Sequence, residues 1–319
     1  MLKRRLGRTD LDVSVLCFGG NVFGWTTDAA QSAAVLDAFG EAGGNFVDSA
    51  DVYSRWVPGN SGGESELILG QWMKDRGNRR EVVVATKLGS PMGEGKQGLS
   101  RSYMVQAVED SLKRLQTDYI DLYQAHRDDQ ETPLEETMAA FDDLVKQGKV
   151  RWIGASNFTA TRLAEANAVA EKGGWHRYES IQPVYHLLRR SDYEAELEPL
   201  CQRDEIGVIT YSSLASGFLT GKYQPGQELP VSGRASGVQQ RYMNDRGWAI
   251  LAAVERVASR LGATPAQVAL AWIASRPGMT GPIASATTPA QLEELVGGID
   301  LVLDDEAIAT LDKVSAPSA

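Results

Sequence analysis

The fold is decided by a stretch that opens on the apolar run VVVATK (residues 82–87). It continues through the helix-patterned SRSYMVQAVEDSLKRL (residues 100–115) to a second apolar run, YIDLYQA (residues 119–125). A second helical pattern, PLEETMAAFDDLVKQG (residues 133–148), then leads to VRWIGAS (residues 150–156). Short apolar runs that alternate with amphipathic stretches of helical period predict β-α-β units, whose strands lie parallel in one sheet.

The same alternation extends over the rest of the chain. An N-terminal β-hairpin is predicted over Arg4–Val15, with its turn at Gly7–Asp10. Candidate strands end near Gly19, Asp48, Lys87, His126, Ser156, Tyr185, Ser212 and Ala284. Candidate helices span Asp28–Gly43, Glu64–Arg76, Ser100–Leu115, Pro133–Gly148, Thr159–Gly173, Asp192–Glu205, Trp248–Arg276, Pro289–Val296 and Asp304–Val314. Eight units at roughly 40 residues each suit a closed (β/α)8 TIM barrel with extra helices.

A doubly wound open sheet is the alternative architecture for such a pattern. That fold usually shows a G-x-G-x-x-G turn after its first strand, whereas the run Cys17-Phe-Gly-Gly20 is followed by no such fingerprint. One long irregular stretch, Ser213–Arg246, is rich in Gly, Ser, Pro and Gln, and insertions of this length are commonly functional. Because no linker divides the chain, residues 1–319 are expected to form a single domain.

Composition excludes several classes of protein. The chain has 43% hydrophobic residues, which excludes a disordered chain, and 32 basic against 42 acidic residues give a net charge of −10. An acidic surface argues against binding to nucleic acid or to an anionic membrane. There is no transmembrane-length apolar run and no apolar signal core, so a cytoplasmic location is expected. Cys17 and Cys201 are expected to be buried, reduced thiols, and no metal site is predicted.

Four ionisable side chains are predicted to meet at one rim of the barrel. Asp48, Lys87 and His126 end three successive strands, and Tyr53 comes just after the first of these. Any one of these residues, taken alone, could simply be a turn residue or a solvated strand end. In barrel enzymes, however, the catalytic residues lie at the C-terminal rim. Together they suit proton transfer to a carbonyl oxygen. A lysine ammonium would lower the tyrosine pKa, a carboxylate would hold the lysine, and a neutral histidine would orient the oxygen.

A second polar set follows the later strands. Ser156, Asn157 and Gln182 are suited to bind an amide such as a nicotinamide carboxamide, and Tyr211 offers a face for a stacked ring. The glycine-containing segment Ser212–Lys222 could bind a pyrophosphate through its backbone N–H groups. Alternatively, these residues could serve only as turn residues and helix caps.

At these residues the chain resembles the aldo-keto reductases, from about Lys3 to Val314. The resemblance rests on LGRTDLDVSVLCFGG (6–20), NFVDSADVYS (45–54), GESELILGQWM (63–73), VVVATKLG (82–89), LKRLQTDYIDLYQAH (112–126), VKQGKVRWIGASNF (145–158) and YSSLASGFLTGKY (211–223). It implies a TIM barrel that binds NAD(P)(H) without a Rossmann fold. It also implies that Tyr53 is the general acid of a catalytic tetrad with Asp48, Lys87 and His126. The cofactor-binding positions that it implies are Ser156, Asn157, Gln182, Tyr211, Ser212, Leu214, Gly217 and Lys222.

Within the family, GKYQPG (221–226) and SGRAS (232–236) most resemble the branch of potassium-channel β-subunits and their bacterial relatives. The stretch after the eighth strand, residues 284–291, has no basic residue for an adenosine 2′-phosphate, which by itself favours NADH. Lys222 and Arg234 are expected to compensate for this. NADP(H) is therefore the preferred cofactor, NAD(H) remains an option, and the remaining predicted contacts to the cofactor are Ser285, Thr287 and Gln291.

The predicted substrate pocket is lined by Trp25, Trp56 and Arg127, with parts of the loops around Met92 and Tyr242. Aromatic walls with few charges suit a small-molecule carbonyl compound of moderate size. The sequence thus predicts reversible, NADPH-dependent reduction of an aldehyde or ketone. The rival function is a cofactor-sensing regulatory subunit with slow turnover, and a non-enzymatic barrel is a third alternative. The physiological substrate and any homo-oligomer stay open.

Overall fold

An N-terminal hairpin precedes a closed barrel of parallel strands. The structure is a computed structural model that describes residues 1–230 and 233–317. Within those ranges, eight strands form the barrel, and its last strand pairs with its first. The strands are β1 (Lys3–Arg5) and β2 (Asp12–Ser14) of the hairpin, then β3 (Cys17–Gly19), β4 (Phe46–Asp48), β5 (Val83–Leu88), β6 (Ile120–Ala125), β7 (Val150–Ser156), β8 (Ser180–Gln182), β9 (Gly207–Thr210) and β10 (Met279–Ala284). The predicted (β/α)8 TIM barrel is confirmed.

The hairpin closes the N-terminal end of the barrel. Leu6 and Val13 are fully buried there, in one apolar cluster with Phe46 of β4. Gly7 permits this approach, because its φ of +53° is left-handed and a Cβ atom there would lie 2.5 Å from the carbonyl oxygen of Glu179. With this end closed, the opposite rim, where all eight strands end, is left for a binding site.

Helices surround the barrel. Within the described part of the chain, no helix is long and apolar enough to cross a membrane. The α-helices there are α1 (Ala29–Glu41), α2 (Glu64–Arg76), α3 (Arg101–Leu115), α4 (Leu134–Lys146), α5 (Ala160–Gly173), α6 (Ser191–Glu194), α7 (Leu197–Asp204), α8 (Ala235–Tyr242), α9 (Asp245–Leu261), α10 (Pro265–Ala274), α11 (Pro289–Asp300) and α12 (Asp305–Ser315).

Two predicted helices are each divided in the structure. The stretch Trp248–Arg276 holds α9 and α10, because Gly262 ends α9 in a left-handed conformation and Thr264 begins α10 with a capping box. The stretch Asp192–Glu205 holds α6 and α7, which are separated where Glu196 takes a non-helical φ of −135°. Both divisions leave the strand order, and therefore the rim, unchanged.

Two strands end earlier than the sequence predicted. Strand β8 ends at Gln182 instead of near Tyr185, because Pro183 follows it and has no N–H to continue the ladder. Strand β9 ends at Thr210 instead of near Ser212, whose φ of +60° is incompatible with an extended strand. The side chains of Gln182 and Tyr211 therefore lie at the rim itself.

The long stretch after β9 is more regular than its composition predicted. It contains a 3-10 helix over Ala215–Thr220 and the helix α8, while residues 231 and 232, including the first residue of SGRAS, lie outside the described residues. Tyr242 at the end of α8 packs against Phe218 with ring centroids 5.9 Å apart. This packing joins the 3-10 helix to α8.

Both cysteines are free and buried, as the sequence predicted. Burial raises the pKa of Cys201 to about 12 and that of Cys17 well above its usual value. The two thiols therefore stay protonated at neutral pH and act as small apolar core groups.

Candidate active site

The strand register brings the predicted catalytic side chains together at the rim. Asp48 is the last residue of β4, Lys87 lies one residue before the end of β5, and His126 follows β6 directly. Neighbouring strands are in register here, with Asp48 beside Ala85. Tyr53 lies in the loop after β4, five residues beyond Asp48. A parallel barrel therefore places these four groups, from three neighbouring loops and strands, on one side of the mouth.

The ammonium group of Lys87 is the centre of this cluster. The side chain is fully buried, and its Nζ donates to Asp48 Oδ2 at 2.7 Å, to the Ser49 carbonyl oxygen at 2.8 Å and to Tyr53 Oη at 2.9 Å. An ammonium has three N–H donors, so all of them have partners. The Tyr53 hydroxyl in turn donates to Asp48 Oδ2 at 3.2 Å. The lysine thus ties a carboxylate and a phenol together at hydrogen-bond distance.

The pKa of Tyr53 moves in the direction opposite to the one that the sequence argument gave. Lys87 was expected to lower it, but burial and the neighbouring Asp48 carboxylate raise the pKa of Tyr53 well above its usual value. Burial disfavours the phenolate, and a carboxylate 3.2 Å from the oxygen repels it. Tyr53 therefore holds its proton throughout the neutral pH range, which is the form that a proton donor needs.

His126 is uncharged at neutral pH, as the sequence argument expected. Its ring centroid lies 6.0 Å from that of Tyr53. Burial and the positive charges of Lys87 and Arg127 lower the pKa of His126 well below its usual value. Its buried Nδ1 has no hydrogen-bond partner within residues 1–230 and 233–317. A neutral imidazole beside the phenol can offer one N–H to a carbonyl oxygen.

The predicted amide-binding residues form a hydrogen-bonded chain. Asn157 donates to Ser156 Oγ at 3.1 Å and accepts from the Tyr211 hydroxyl at 2.8 Å, while Ser156 donates to the Gln182 carbonyl oxygen at 2.8 Å. The chain reaches the catalytic cluster, because Gln182 Nε2 donates to Asp48 Oδ1 at 2.9 Å. The sequence did not reveal this link, which joins two groups that it had treated separately.

One cleft joins all of these groups. It has a volume of about 1460 Å³, and every predicted site residue lines it except Lys87, which lies beneath its floor. Of the two loops predicted to contribute to the pocket, the one around Tyr242 provides Arg241, whereas Met92 is not among the described residues that line the cleft. The predicted residues in its wall are Asp48, Tyr53, His126, Ser156, Asn157, Gln182, Tyr211, Ser212, Leu214, Gly217, Lys222, Arg234, Ser285, Thr287, Gln291, Trp25, Trp56 and Arg127.

Sequence reasoning did not name several polar residues of the cleft wall, among them Asn21, Arg241 and Glu294. Asn21 follows β3 and accepts a hydrogen bond from Ser285 Oγ at 2.6 Å. Arg241 lies on α8, a helix that the glycine-rich composition concealed. Glu294 lies three residues after the predicted Gln291 on α11, so helical spacing was the signal that could have found it.

The segment after β9 has an unusual backbone. Ser212, Ala215, Ser216 and Gly217 all have positive φ values, of 60°, 50°, 58° and 93°. Turns between such conformations form concavities of backbone N–H groups that bind anions. A Cβ atom on Gly217 would lie only 3.0 Å from Lys222 Nζ, so glycine is what lets the ammonium approach this loop. A cation and a curved backbone thus lie together in the cleft wall.

A second cation lies near Lys222. The positive charge of Arg234, after burial, lowers the pKa of Lys222. The Arg234 guanidinium lies 4.9 Å from the ring centroid of Trp25, and that ring is 5.5 Å from Trp56. Arg234 therefore packs on a residue that the sequence had assigned to the substrate pocket. Two neighbouring cations suit a ligand with more than one negative charge.

The loop after β10 offers neutral hydrogen-bonding groups. The backbone N–H and the hydroxyl of Thr287 both donate to Gln291 Oε1, at 2.8 and 2.9 Å. The Gln291 side-chain nitrogen is left as the donor that can serve a ligand. The loop, residues 284–291, therefore supplies no positive charge to an anion bound beside it.

Asp51 is a buried acid behind the catalytic cluster. It is 2% exposed, and neither of its carboxyl oxygens has a hydrogen-bond partner within the described residues. Nearby Glu66 accepts from Thr86 at 2.6 Å and from Arg114 at 2.7 Å. Burial and the charge of Glu66 raise the pKa of Asp51 well above its usual value. The folded chain thus keeps a proton on Asp51 that the unfolded chain releases.

Replacing this acid by its amide should stabilise the protein at alkaline pH. An acid whose pKa is raised in the folded state costs no stability below its unfolded pKa of about 3.9, and costs more as the pH rises towards its folded pKa. We expect Asp51→Asn to raise the free energy of unfolding by about 1–3 kcal/mol near pH 8, and by less near pH 5. Urea titrations at both pH values measure this.

The control for this prediction is Asp118→Asn, which makes the same change at an exposed position. It should alter the free energy of unfolding by less than about 0.5 kcal/mol at either pH. An Asp51→Asn protein that is less stable than the wild type near pH 8 would show that the carboxylate is ionised and stabilised in the fold.

Comparison with known proteins identifies relatives along the full chain. The model of the aldo/keto reductase family matches residues 15–316. The chain is 37% identical to a probable voltage-gated potassium channel subunit beta from Oryza sativa, over 99% of this chain and 96% of that one. It is 36% identical to the uncharacterized oxidoreductase YrpG of Bacillus subtilis, over 97% and 94%. It is 32% identical to the protein tas of Escherichia coli, over 98% and 97%.

Proposed function

Because the chain belongs to the aldo/keto reductase family, we propose that it is an NADPH-dependent oxidoreductase that reversibly reduces an aldehyde or ketone to an alcohol. The family is one of oxidoreductases that act on small carbonyl compounds and generally use NAD(P)H, and one relative is named an oxidoreductase. The single observation that carries the proposal is the Lys87 ammonium, which joins Asp48 to the Tyr53 hydroxyl at the floor of the cleft.

In this proposal Tyr53 is the general acid. Bound NADPH supplies a hydride to the carbonyl carbon. Tyr53 Oη gives its proton to the carbonyl oxygen, and Lys87, 2.9 Å away, stabilises the phenolate that remains. Asp48 holds the ammonium in place, and neutral His126 donates a hydrogen bond that orients the carbonyl oxygen.

The opposite wall of the cleft is proposed to hold the cofactor. Ser156, Asn157 and Gln182 provide amide and hydroxyl groups beside Asp48, where a carboxamide would be oriented. Tyr211, whose hydroxyl donates to Asn157, provides a ring face in the same wall. The curved backbone of residues 212–217 and the two cations beyond it suit a pyrophosphate and a further phosphate. The chemistry of this wall fits a dinucleotide in an extended form.

A substrate screen tests the proposed function. Purified protein is incubated with NADPH and a panel of aldehydes and ketones, and the loss of nicotinamide absorbance is followed. We expect turnover with at least one member and formation of the matching alcohol. Tight NADPH binding with no turnover across the panel would favour the rival function, a cofactor-sensing regulatory subunit.

The cofactor preference gives a separate prediction. A charge-assisted contact is worth about 1.5–3 kcal/mol, so Arg234→Ala should weaken NADPH binding by roughly tenfold to a hundredfold. NADH lacks the 2′-phosphate, and its affinity should change little. Because Arg234 also packs on Trp25, Arg234→Lys serves as the control that keeps the charge. The affinities of the wild type and of the variants for NADPH and NADH are measured by titration. Equal losses of affinity for the two cofactors in Arg234→Ala, or tighter binding of NADH than of NADPH by the wild type, would contradict the proposed preference for NADPH.

We also propose that residues 1–319 act as one domain in the cytoplasm. Support for this comes from the family match over nearly the whole chain and from two unpaired, buried thiols, which suit a reducing compartment. Fractionation of the native cells with an antibody to the protein would test the location.

A further inference from the structure

Arg127 is an exposed cation beside the proposed general acid that has no acidic partner. It follows His126, lines the cleft and forms no salt bridge within the described residues. The acids beside it are engaged elsewhere. Asp128 accepts from Arg162 Nε at 2.9 Å, and Asp129 Oδ2 accepts from the Leu99 N–H at 2.7 Å. The loop therefore presents one unpaired guanidinium to the cleft.

The Arg127 guanidinium lies at the end of the cleft that holds Tyr53 and His126. Arg127 follows His126 directly after β6, and it lines the same cleft as His126 and Tyr211. The acids that line the cleft do not neutralise it. Asp48 is paired with Lys87, and Glu294 lies on α11, beyond the cofactor wall. An anion here would meet an uncompensated positive charge.

Flat apolar surfaces line the same cleft as this charge. The rings of Trp25 and Trp56 pack edge to face with centroids 5.5 Å apart, and Trp56 lies 6.2 Å from Tyr53. Trp56 is 49% exposed, which leaves a large part of its surface for a ligand. The site thus combines a proton donor, an aromatic wall and a guanidinium fork.

We propose that the substrate is a carbonyl compound with an apolar, preferably aromatic body and an anionic group, a carboxylate or a phosphate, which Arg127 binds. This rests on the proposed function and names its substrate class. A guanidinium binds either anion with two parallel N–H···O bonds, so it fixes orientation as well as charge. Because the protein carries a net charge of −10, an anionic substrate needs such a local cation at the mouth. Arg127 is thereby a specificity-determining residue.

A matched pair of aldehydes tests this inference. The value of kcat/KM is measured for 4-carboxybenzaldehyde and for its neutral ester, methyl 4-formylbenzoate, with NADPH. The wild type should prefer the acid, and Arg127→Met should lower the acid-to-ester ratio by roughly tenfold to a hundredfold, mainly through KM. Arg127→Lys should keep part of the ratio. Added salt should lower the wild-type ratio, because the paired charges are partly solvated.

The control is Arg203→Met, which removes one exposed charge on α7 and should leave the ratio unchanged. The same ratio of kcat/KM values, measured for 4-formylphenyl phosphate and neutral 4-methoxybenzaldehyde, tests whether Arg127 also favours a phosphate. A second readout needs no turnover. Quenching of tryptophan fluorescence measures the binding of 4-(hydroxymethyl)benzoate and of its methyl ester, and the acid should bind more tightly to the wild type than to Arg127→Met.

Each outcome has a defined meaning. Equal ratios in the wild type and in Arg127→Met would overturn the anionic-substrate inference, while reduction of the ester would still uphold the proposed function. Absence of turnover with every aldehyde would overturn the proposed function. In that case the fluorescence titration still decides the inference: equal affinities for acid and ester would refute it, and a preference for the acid that depends on Arg127 would uphold it.

Discussion

Tyr53→Phe is expected to lose reductase activity by a factor of roughly 10²–10⁴ while it keeps its affinity for NADPH. The substitution removes the hydroxyl that accepts from Lys87 at 2.9 Å and donates to Asp48 at 3.2 Å. The ring and its packing against Trp56 and His126 remain, so the cleft keeps its shape. Steady-state kinetics with one aldehyde and a cofactor titration measure the two quantities separately.

The matched control is Tyr119→Phe. Tyr119 packs under Arg79 next to the start of β6, at the end of the barrel opposite the cleft. This variant loses the same atom and should retain normal turnover. Near-normal turnover in Tyr53→Phe would remove Tyr53 from the mechanism, whereas equal losses in both variants would point to a general loss of folded protein.

Lys87→Met is expected to lower the rate by roughly 10²–10³. The ammonium would no longer stabilise the phenolate that forms as Tyr53 gives up its proton. The Asp48 carboxylate would also lose its cation and would repel that phenolate at short range. Asp48→Asn should cost less activity, because the ammonium survives. Rates measured at saturating NADPH compare these variants.

The double variant separates chemistry from folding. Removing one partner of a buried ion pair costs about 3–5 kcal/mol, so Lys87→Met alone should also unfold more easily. Lys87→Met combined with Asp48→Asn has no buried charge at this place, and should recover most of the stability without recovering the rate. Recovery of the rate along with the stability would show that Lys87 has a purely structural role.

The rim of the barrel could be predicted because it depends on backbone order. Asp48, Lys87 and His126 end successive strands, and in a parallel barrel the ends of successive strands are neighbours. Helix limits followed from local signals in the same way. The segment Glu64–Arg76 is predicted to the residue, because glycines precede and follow it.

Features that depend on side-chain reach could not be predicted. The hydrogen bond from Gln182 to Asp48 crosses the barrel mouth between residues 134 positions apart in the chain. The helix α8, which brings Arg241 to the cleft, is stabilised by the packing of Tyr242 against Phe218 and not by its own composition. The direction in which the pKa of Tyr53 shifts also depends on tertiary burial. Burial raises this pKa, although the charge of Lys87, which the sequence shows, was expected to lower it.

The most direct test of the central claim follows the transferred hydrogen itself. NADPH in which both hydrogens at C4 of the nicotinamide are replaced by deuterium is incubated with the wild-type protein and an aldehyde from the screen, and the alcohol is analysed by mass spectrometry and NMR. The proposed reaction predicts one deuterium on the carbinol carbon for each NADPH oxidised, and a strongly reduced rate with Tyr53→Phe. Tight binding of the labelled cofactor, with no deuterated alcohol from any aldehyde of the panel, would contradict the assignment of carbonyl reduction to this cleft.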